Sequence, residues 1–459
     1  MKTIACDVTI IGAGSAGLAA HRAAVGAGAK TTLIEAGPGG TTCARVGCMP
    51  SKLLLAAARS ARDMRDAAAF GVHGEPRVDG RAVMARVQRE RDHFVAAVLE
   101  DVAAIPAREK IAGHARFAGP TTLTIDDHSR VEARAIVIAS GARPTVPPEL
   151  AQACGERVLT HETVFDLADL PSSLAVIGAG PLGLELAIAF ARLGVATSVF
   201  DPKDSVGGVR DPKVRAKVRE TLGRKVDFHL GVSIQATRNR AGDVAVSWTD
   251  ETGQKGRRVY QYVLDAAGRP PALDNLDLNM AGLDLDSHGV PHFDPETMRC
   301  GKSAIFIAGD ADNARPVLHE AARQGALAGT NAAGYPKIER RPRGVDLAVV
   351  FTDPDIAFVG EPFDPDKNSE RAIGCSDSDG RARVDGRDAG VLRAWARRAD
   401  SVIVGGELFG PDVEHLAQLL AWVIQLKMTV GAVLDLPFYH PTMEESLRTC
   451  LRDLRGKLG

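Results

Sequence analysis

No stretch of this chain stays apolar long enough to cross a bilayer. The longest runs, such as Leu416 to Leu426, are too short or too interrupted, so no membrane partner is expected. An excess of charge of one sign is also missing. Lys and Arg total 56 against 58 Asp and Glu, a formal net charge of −2, which gives no reason to expect a nucleic-acid or membrane-surface partner. The N-terminus lacks the pattern of a secretory leader. One Lys precedes Asp7 in a strand-like run, and no cleavage site stands before the glycine-rich loop that follows. A cytoplasmic location is the expectation. Low-complexity tracts and long linkers are absent as well.

Cysteine is scarce. The seven residues are Cys6, Cys43, Cys48, Cys154, Cys300, Cys375 and Cys450. An odd, scattered set of this kind excludes a secreted disulfide framework. Only Cys43 and Cys48 form a close pair, spaced C-x4-C. Zinc sites usually need a tighter spacing and a second ligand pair. No second pair is seen, so no metal is expected and redox use is the better reading of the two.

What is present is an ordinary globular composition, 45% hydrophobic and 25% charged over 459 residues. That length exceeds one hydrophobic core and implies about two to four domains. The strongest pattern is an internal repeat. Asp7–Ile11 reads as a buried strand, followed by Gly12-Ala-Gly14-Ser-Ala-Gly17, an Ala-rich helix to about Gly28, and a second strand Thr31–Ile34 ending in Glu35. Leu174–Ile177, Gly178-Ala-Gly180-Pro-Leu-Gly183, a helix over Leu184–Leu193 and a strand Thr197–Phe200 ending in Asp201 repeat the design. From first glycine to acidic residue the interval is 23 positions in both, 12 to 35 and 178 to 201. This is the dinucleotide-binding βαβ fingerprint in duplicate. The first glycine permits the turn, the second admits a pyrophosphate, the third lets helix and strand pack, and the carboxylate meets a ribose. The helix N-terminus offers unpaired N–H groups and a positive dipole end to the phosphates.

Elsewhere, Met64–Val102 reads as two helices broken near Gly71–Asp79. Thr121–Ile125, Val131–Ile138, Val226–Trp248, Arg258–Leu264 and Ala304–Ile307 read as strands. From about Val345 the texture changes. Strands near Ala348–Thr352 and Val402–Leu408 and a helix from Val413 to about Lys427 suggest a separate α+β domain.

Cys43 and Cys48 lie in Gly40-Thr-Thr-Cys43-Ala-Arg-Val-Gly47-Cys48-Met-Pro50-Ser-Lys52, ahead of a helical run Leu53–Ala61 with Pro50 at or near its start. A cysteine near a helix N-terminus has more thiolate, and Gly47 helps the chain bend so that two sulfurs can meet. On spacing alone, two unrelated buried cysteines remain the competing reading.

The segment Gly40–Lys52, the duplicated fingerprint, Ala139-Ser-Gly141-Ala-Arg-Pro144, Ala267-Gly268-Arg269, Ile307-Ala-Gly309-Asp310, Phe351-Thr-Asp-Pro354 and His440-Pro-Thr-Met-Glu-Glu445 follow one another in this order. In that order the chain resembles, over essentially its whole length, the class I pyridine nucleotide-disulfide oxidoreductases, and within them most the dihydrolipoamide dehydrogenase branch. The resemblance implies an α/β fold of two Rossmann-like dinucleotide-binding domains, for FAD and NAD, plus a C-terminal α+β dimerisation domain. The implied division is 1–148 for the FAD-binding domain with the redox disulfide, 149–270 for NAD, 271–343 completing the FAD domain, and 344–459 for the interface domain.

It also implies roles. Cys43 is the interchange thiol, Cys48 the thiol facing the flavin, His440 the acid–base that takes the substrate thiol proton, and Glu445 the carboxylate that orients it. FAD is expected on Gly12, Gly14, Ser15, Ala16, Gly17, Glu35 and Ala36, then on Thr42, Lys52, His114 and Ala115, and on Ser140, Gly141, Gly309, Asp310 and His319. For His319 a core histidine is the competing reading. NAD+/NADH is expected on Gly178, Gly180, Pro181, Leu182, Gly183 and Glu185, with Asp201, Val232 and Gly268. Lys52 is expected to pair with Glu185. Asp201 favours a free 2′-hydroxyl, hence NAD over NADP, and Lys203 stands alone beside it.

The implied reaction oxidises dihydrolipoamide and reduces NAD+, by a homodimer in which His440 serves the partner's disulfide. Its implied partners are a small-molecule dithiol or a lipoyl-bearing domain, in a complex of the 2-oxoacid dehydrogenase type. No lipoyl segment precedes the first fingerprint, so any such group is expected to arrive on another protein. Three departures from the branch's pattern stand out: Phe438 where a histidine is common, Thr41-Thr42 in place of Gly-x, and Ala44-Arg45 in place of Leu-Asn. The rival readings are an NAD(P)H-dependent reductase of another disulfide, a structural subunit, and an oxidase or transhydrogenase without a thiol substrate. The transhydrogenase type typically lacks one of the paired cysteines, so Cys43 speaks against it.

Overall fold

The computed structural model describes residues 1–377, 380–387 and 389–459. The chain divides into two compact units, one of Met1–Pro50, Val87–Thr145 and Gly268–Arg343, the other of Ser51–Arg86, Val146–Ala267 and Gly344–Gly459.

The first unit is built on a nine-stranded sheet. Its centre is parallel: Ile305–Ile307, Ser129–Ile138, Lys2–Ile11, Thr31–Glu35 and Lys110–Ala112 lie side by side. Ile10 sits opposite Leu33 on one side and Val137 on the other. Strands covered on both faces read as continuous apolar runs. Here Val8, Ile10, Leu33 and Val137 pack under the helices Ser15–Gly26 and Leu318–Gly334, while Ile11, Ile34, Ile136 and Ile138 fill the opposite face. Those two helices cross closely. A Cβ on Gly325 would stand 2.1 Å from Ala16 O, and one on Gly329 would stand 2.2 Å from Ala20 O. Only glycine allows that approach.

The second unit holds three sheets. The parallel one runs Asp227–Leu230, Ala196–Asp201, Ser173–Ile177, Tyr262–Asp265, Val158–Leu159. Beside it stands an antiparallel meander of Val232–Arg238, Val244–Asp250 and Lys255–Tyr260. The single run expected over Val226–Trp248 is thus three strands, because Gly231 turns at φ +67° and a turn at Asn239–Asp243 reverses the chain. The C-terminal part is a five-stranded antiparallel sheet ordered Leu347–Val350, Asp355–Gly360, Ile403–Gly410, Val391–Arg397, Arg371–Asp377. Helices Val413–Gln425 and Glu444–Leu458 share its core through Leu416, Leu420, Leu447 and Leu451. The two expected helices of Met64–Val102 are Cys48–Asp66, extended by a 3-10 turn to Phe70, and Gly80–Ala104. Among the described residues no helix is long and apolar enough to cross a membrane.

Candidate functional site

Both fingerprints adopt the same geometry. Gly12 and Gly178 turn at φ +102° and +105°, and a Cβ on either would strike the neighbouring strand's carbonyl, Ala139 O at 2.4 Å or Ala266 O at 2.5 Å. A Cβ on Gly17 would meet Gly12 O at 1.8 Å, and one on Gly183 would meet Gly178 O at 2.1 Å. Gly14 and Gly180, by contrast, face open space. Each is the N-cap of its helix, with no side-chain cap and no acidic residue in the first turn. The first-turn N–H groups are therefore left for an anion. Ser15 and Ala16 continue the first helix, Pro181 and Leu182 the second.

The carboxylates close each turn alike. Glu35 Oε2 accepts from Ala13 N at 2.6 Å and its Oε1 from Gly37 N at 2.7 Å. Asp201 Oδ2 accepts from Ala179 N at 2.7 Å and its Oδ1 from Lys203 N at 2.8 Å. The open glycine, the uncapped helix start and the anchored acid together fit a dinucleotide at each fingerprint.

Three quoted motifs meet in the first unit. Arg269 donates to Asp310 Oδ2 at 3.0 Å and to Ala142 O at 3.4 Å. Gly309 turns at φ +72° and donates its N–H to buried Gln324 at 2.8 Å. Gly141 turns at φ +72° with free space where a Cβ would lie. Ser140 Oγ is buried with no hydrogen-bond partner. That hydroxyl and the open backbone around it suit a large polar ligand, as the FAD expectation requires. His114 is exposed and its N–H binds Asp126, while Ala115 is buried in the strand Ala115–Gly119. Ala36 and Thr42 are exposed. His319 lies exposed in the first turn of Leu318–Gly334, so the competing reading as a core histidine is excluded.

Cys43 and Cys48 do not share one helix. Cys43 lies in the short helix Thr42–Val46 and Cys48 opens the long helix Cys48–Asp66. Gly47 separates them, where a Cβ would press on Thr42 O at 2.9 Å. Cys48 is exposed and Cys43 half-buried. Thr41 sits at φ +57°, a region that favours glycine, and its Oγ1 accepts from Ala44 N at 3.2 Å.

In the second unit, Lys52 Nζ lies 2.7 Å from Glu185 Oε2 and 4.2 Å from the centre of the Phe351 ring. Buried Glu185 accepts the Phe351 N–H through its other oxygen at 2.9 Å. The structure therefore brings together the expected pair and adds Phe351. Just beyond it, buried Asp353 collects Arg62, Arg192 and Arg387. Burial pushes the Asp353 carboxyl up, but Arg192 and Arg62 hold it below its ordinary value. Asp355 is buried beside Glu414, and burial with that second carboxyl pushes it up to about 8 against the pull of Arg59. Val232 is buried in a core shared with Ala175 and Phe200 and pairs with Asp250 in the antiparallel meander. Gly268 is exposed with open space around it.

His440 Nδ1 lies 2.8 Å from Glu445 Oε2, and the histidine side chain is 81% exposed. Phe438, two residues before His440 where the family commonly has another histidine, packs on the C-terminal core under Arg448. Among the described residues no group of three or more His, Cys, Asp or Glu could hold a metal ion.

Two dinucleotide-binding turns, a cysteine pair at the head of a helix, and a histidine–carboxylate pair define a nicotinamide-linked flavoprotein that works on thiols and disulfides. Residues 6–326 match the pyridine nucleotide-disulphide oxidoreductase family and residues 347–451 its dimerisation domain. The chain belongs to this family, and its cofactors are FAD and NAD(H). It is similar to dihydrolipoyl dehydrogenase of Halobacterium salinarum, 29% identical over 463 residues covering 96% of this chain and 94% of that one. It is 27% identical to the soluble pyridine nucleotide transhydrogenase of Mycobacterium bovis over 470 residues, 98% of this chain and 97% of that one. The crystal structure of LpdA from Mycobacterium tuberculosis superposes with a TM-score of 0.83 at 25% identity, over 99% of this chain and all of that one.

Proposed function

We propose that this enzyme is a dihydrolipoamide dehydrogenase. The observation that carries the reading is the His440–Glu445 pair, 2.8 Å apart with the imidazole turned outward, in a chain that keeps both Cys43 and Cys48. With Nδ1 held by the carboxylate, Nε2 is the atom that takes a proton from a substrate thiol. The substrate thiolate bonds to Cys43 Sγ and breaks the Cys43–Cys48 bond, so Cys48 leaves as a thiolate. Its place at the start of Cys48–Asp66 puts that negative charge at the positive end of a helix dipole. The second substrate thiol then attacks the substrate sulfur of the mixed disulfide and gives its proton to Cys43 as that sulfur leaves. This closes the oxidised substrate, frees Cys43 as a thiol and leaves the first proton on His440. One substrate dithiol is oxidised and one cysteine pair reduced.

FAD, when bound, supplies the two-electron chemistry that links this dithiol to the nicotinamide. The first fingerprint with Ser140, Gly309 and Asp310 would hold it. The second fingerprint would hold NAD, with Asp201 binding the ribose hydroxyls and repelling a 2′-phosphate. Cytoplasmic residence is part of this reading, because a cycling dithiol belongs in a reducing compartment.

We further propose a homodimer in which each His440 serves the cysteine pair of its partner. The outward turn of His440 supports it. So does the apolar face Leu419, Trp422 and Leu426 that the helix Val413–Gln425 and its end leave exposed, at 36%, 58% and 72%. A lipoyl group carried by another protein, in a complex of the 2-oxoacid dehydrogenase type, is the corresponding partner. Rates with lipoamide and with glutathione disulfide, each with NADH and with NADPH, test the reading. NADH with lipoamide is expected to exceed the other three combinations by about tenfold or more. A preference for glutathione disulfide would reject the substrate, and one for NADPH would reject the role of Asp201.

A further inference from the structure

The parallel sheet of the second unit has a second concavity, far from its fingerprint. Dinucleotides bind beyond the C-terminal ends of parallel strands, where Gly178 and Asp201 lie. A cavity of about 420 Å³ opens instead at the opposite ends of the same strands, lined by Ser173, Ala196–Ser198, Gly223–Asp227 and Arg258–Tyr260. Along Ala196–Asp201 the two ends are separated by about 17 Å at the rise of a strand. The volume is in the range of small-molecule sites, roughly 300–1,000 Å³.

We propose that this cavity is a binding site for a small anionic metabolite, held through a phosphate or carboxylate group. Tyr260 is 1% exposed, and no hydrogen bond of normal geometry meets its hydroxyl, although Ser198 and Arg258 stand close enough to oppose the rise that burial imposes on its pKa. An unmet buried hydroxyl is costly unless something in the cavity accepts its proton. Beside it, Arg258 donates to Ser198 Oγ at 3.1 Å and to Asp227 at 2.8 Å, leaving other guanidinium N–H groups for a ligand. Arg224 and Lys225 add two more cations to the rim; Arg224 is paired with Glu220 at 2.7 Å and Arg258 with Asp227 at 2.8 Å, which leaves one positive charge in excess among these five groups. A net positive rim over a buried phenol donor selects an acceptor-rich anion. Burial pushes the Tyr260 phenol above its ordinary value, with Ser198 and Arg258 opposing, so the hydroxyl keeps its proton at neutral pH.

The test is titration of the FAD-loaded enzyme, saturated with NAD+, with inorganic phosphate and separately with succinate, followed by calorimetry. Tyr260→Phe and Arg258→Gln are run in parallel, and thermal unfolding checks their folding. Saturable binding of at least one probe is expected, weakened about tenfold or more by either substitution while NADH affinity is unchanged. Binding of phosphate alone assigns a phosphoryl ligand and binding of succinate alone a carboxylate. No saturable binding of either probe, or binding that both variants leave unchanged, would overturn the proposal.

Discussion

At the residue scale, two of the departures from the family's pattern, Thr41 and Phe438, have physical accounts. Thr41 takes a position with φ +57°, where a β-branched residue is strained by about 1–3 kcal/mol. Its hydroxyl accepts the Ala44 N–H, so the side chain that causes the strain also caps the Cys43 helix. Phe438 is a core residue and not a second base. The proton acceptor we propose is then His440 alone, and His440→Gln is expected to lower dihydrolipoamide turnover by about 10²–10⁴-fold. Anaerobic reduction of the same variant by NADH should remain within about twofold of the parent, a split that loss of folding could not produce. Stopped-flow traces of the two half-reactions check it; equal loss in both would contradict the assignment. His440 and Glu445 were legible in the sequence because they are five positions apart. The Glu185–Phe351 bond was not, because 166 positions separate the partners and no local pattern marks them.

At the scale of elements, the fingerprints were legible because each glycine's work is local. Their support was not. Gly325 and Gly329 look like ordinary helix glycines until the crossing over Ala16 and Ala20 is seen. Gly325→Ala drives a Cβ into Ala16 O and should destabilise the first unit by about 1–3 kcal/mol. It should also loosen the first fingerprint enough to release FAD at a lower temperature than the parent, read by flavin fluorescence during a thermal ramp. An unchanged release temperature would show that the helices can part without cost. The strand Arg371–Asp377 was missed because its polar and glycine residues hide the period of two, and it is recognised only by its pairing to Val391–Arg397.

Glu407, in the strand Ile403–Gly410, accepts the N–H groups of Arg210 and Asp211 at the head of helix Pro212–Leu222. Burial pushes its carboxyl from 4.5 to about 7, with those amides opposing. A folded pKa above the unfolded one means the stabilising contribution is full below about pH 4.5 and fades as pH rises through about 7. Glu407→Gln keeps an acceptor and cannot ionise. From pH 4.5 to 8 it should gain about 3 kcal/mol relative to the parent, read from denaturant midpoints. A difference that stays constant with pH would contradict the account.

At the scale of the whole molecule, the proposed activity needs two copies of the chain. Trp422→Glu places a charge in the centre of the exposed apolar face and should convert the dimer to monomer in light scattering. It should also lower dihydrolipoamide turnover by at least about tenfold. A monomer with full turnover would show that one chain completes its own site. The sequence order of motifs made the family legible over the whole chain. The assembly was legible only by resemblance, since single-chain periodicity cannot tell an interface face from a solvated one.

The central claim is that Cys43 and Cys48 are the dithiol that meets the substrate. It is tested most directly by adding one equivalent of dihydrolipoamide to the oxidised enzyme without oxygen or NAD+, trapping thiols with an alkylating reagent and mapping the labels by mass spectrometry. Cys43 and Cys48 should gain label together, and labelling of the other five cysteines should not change. Label gained at any other cysteine, or none gained at Cys43 and Cys48, would contradict it.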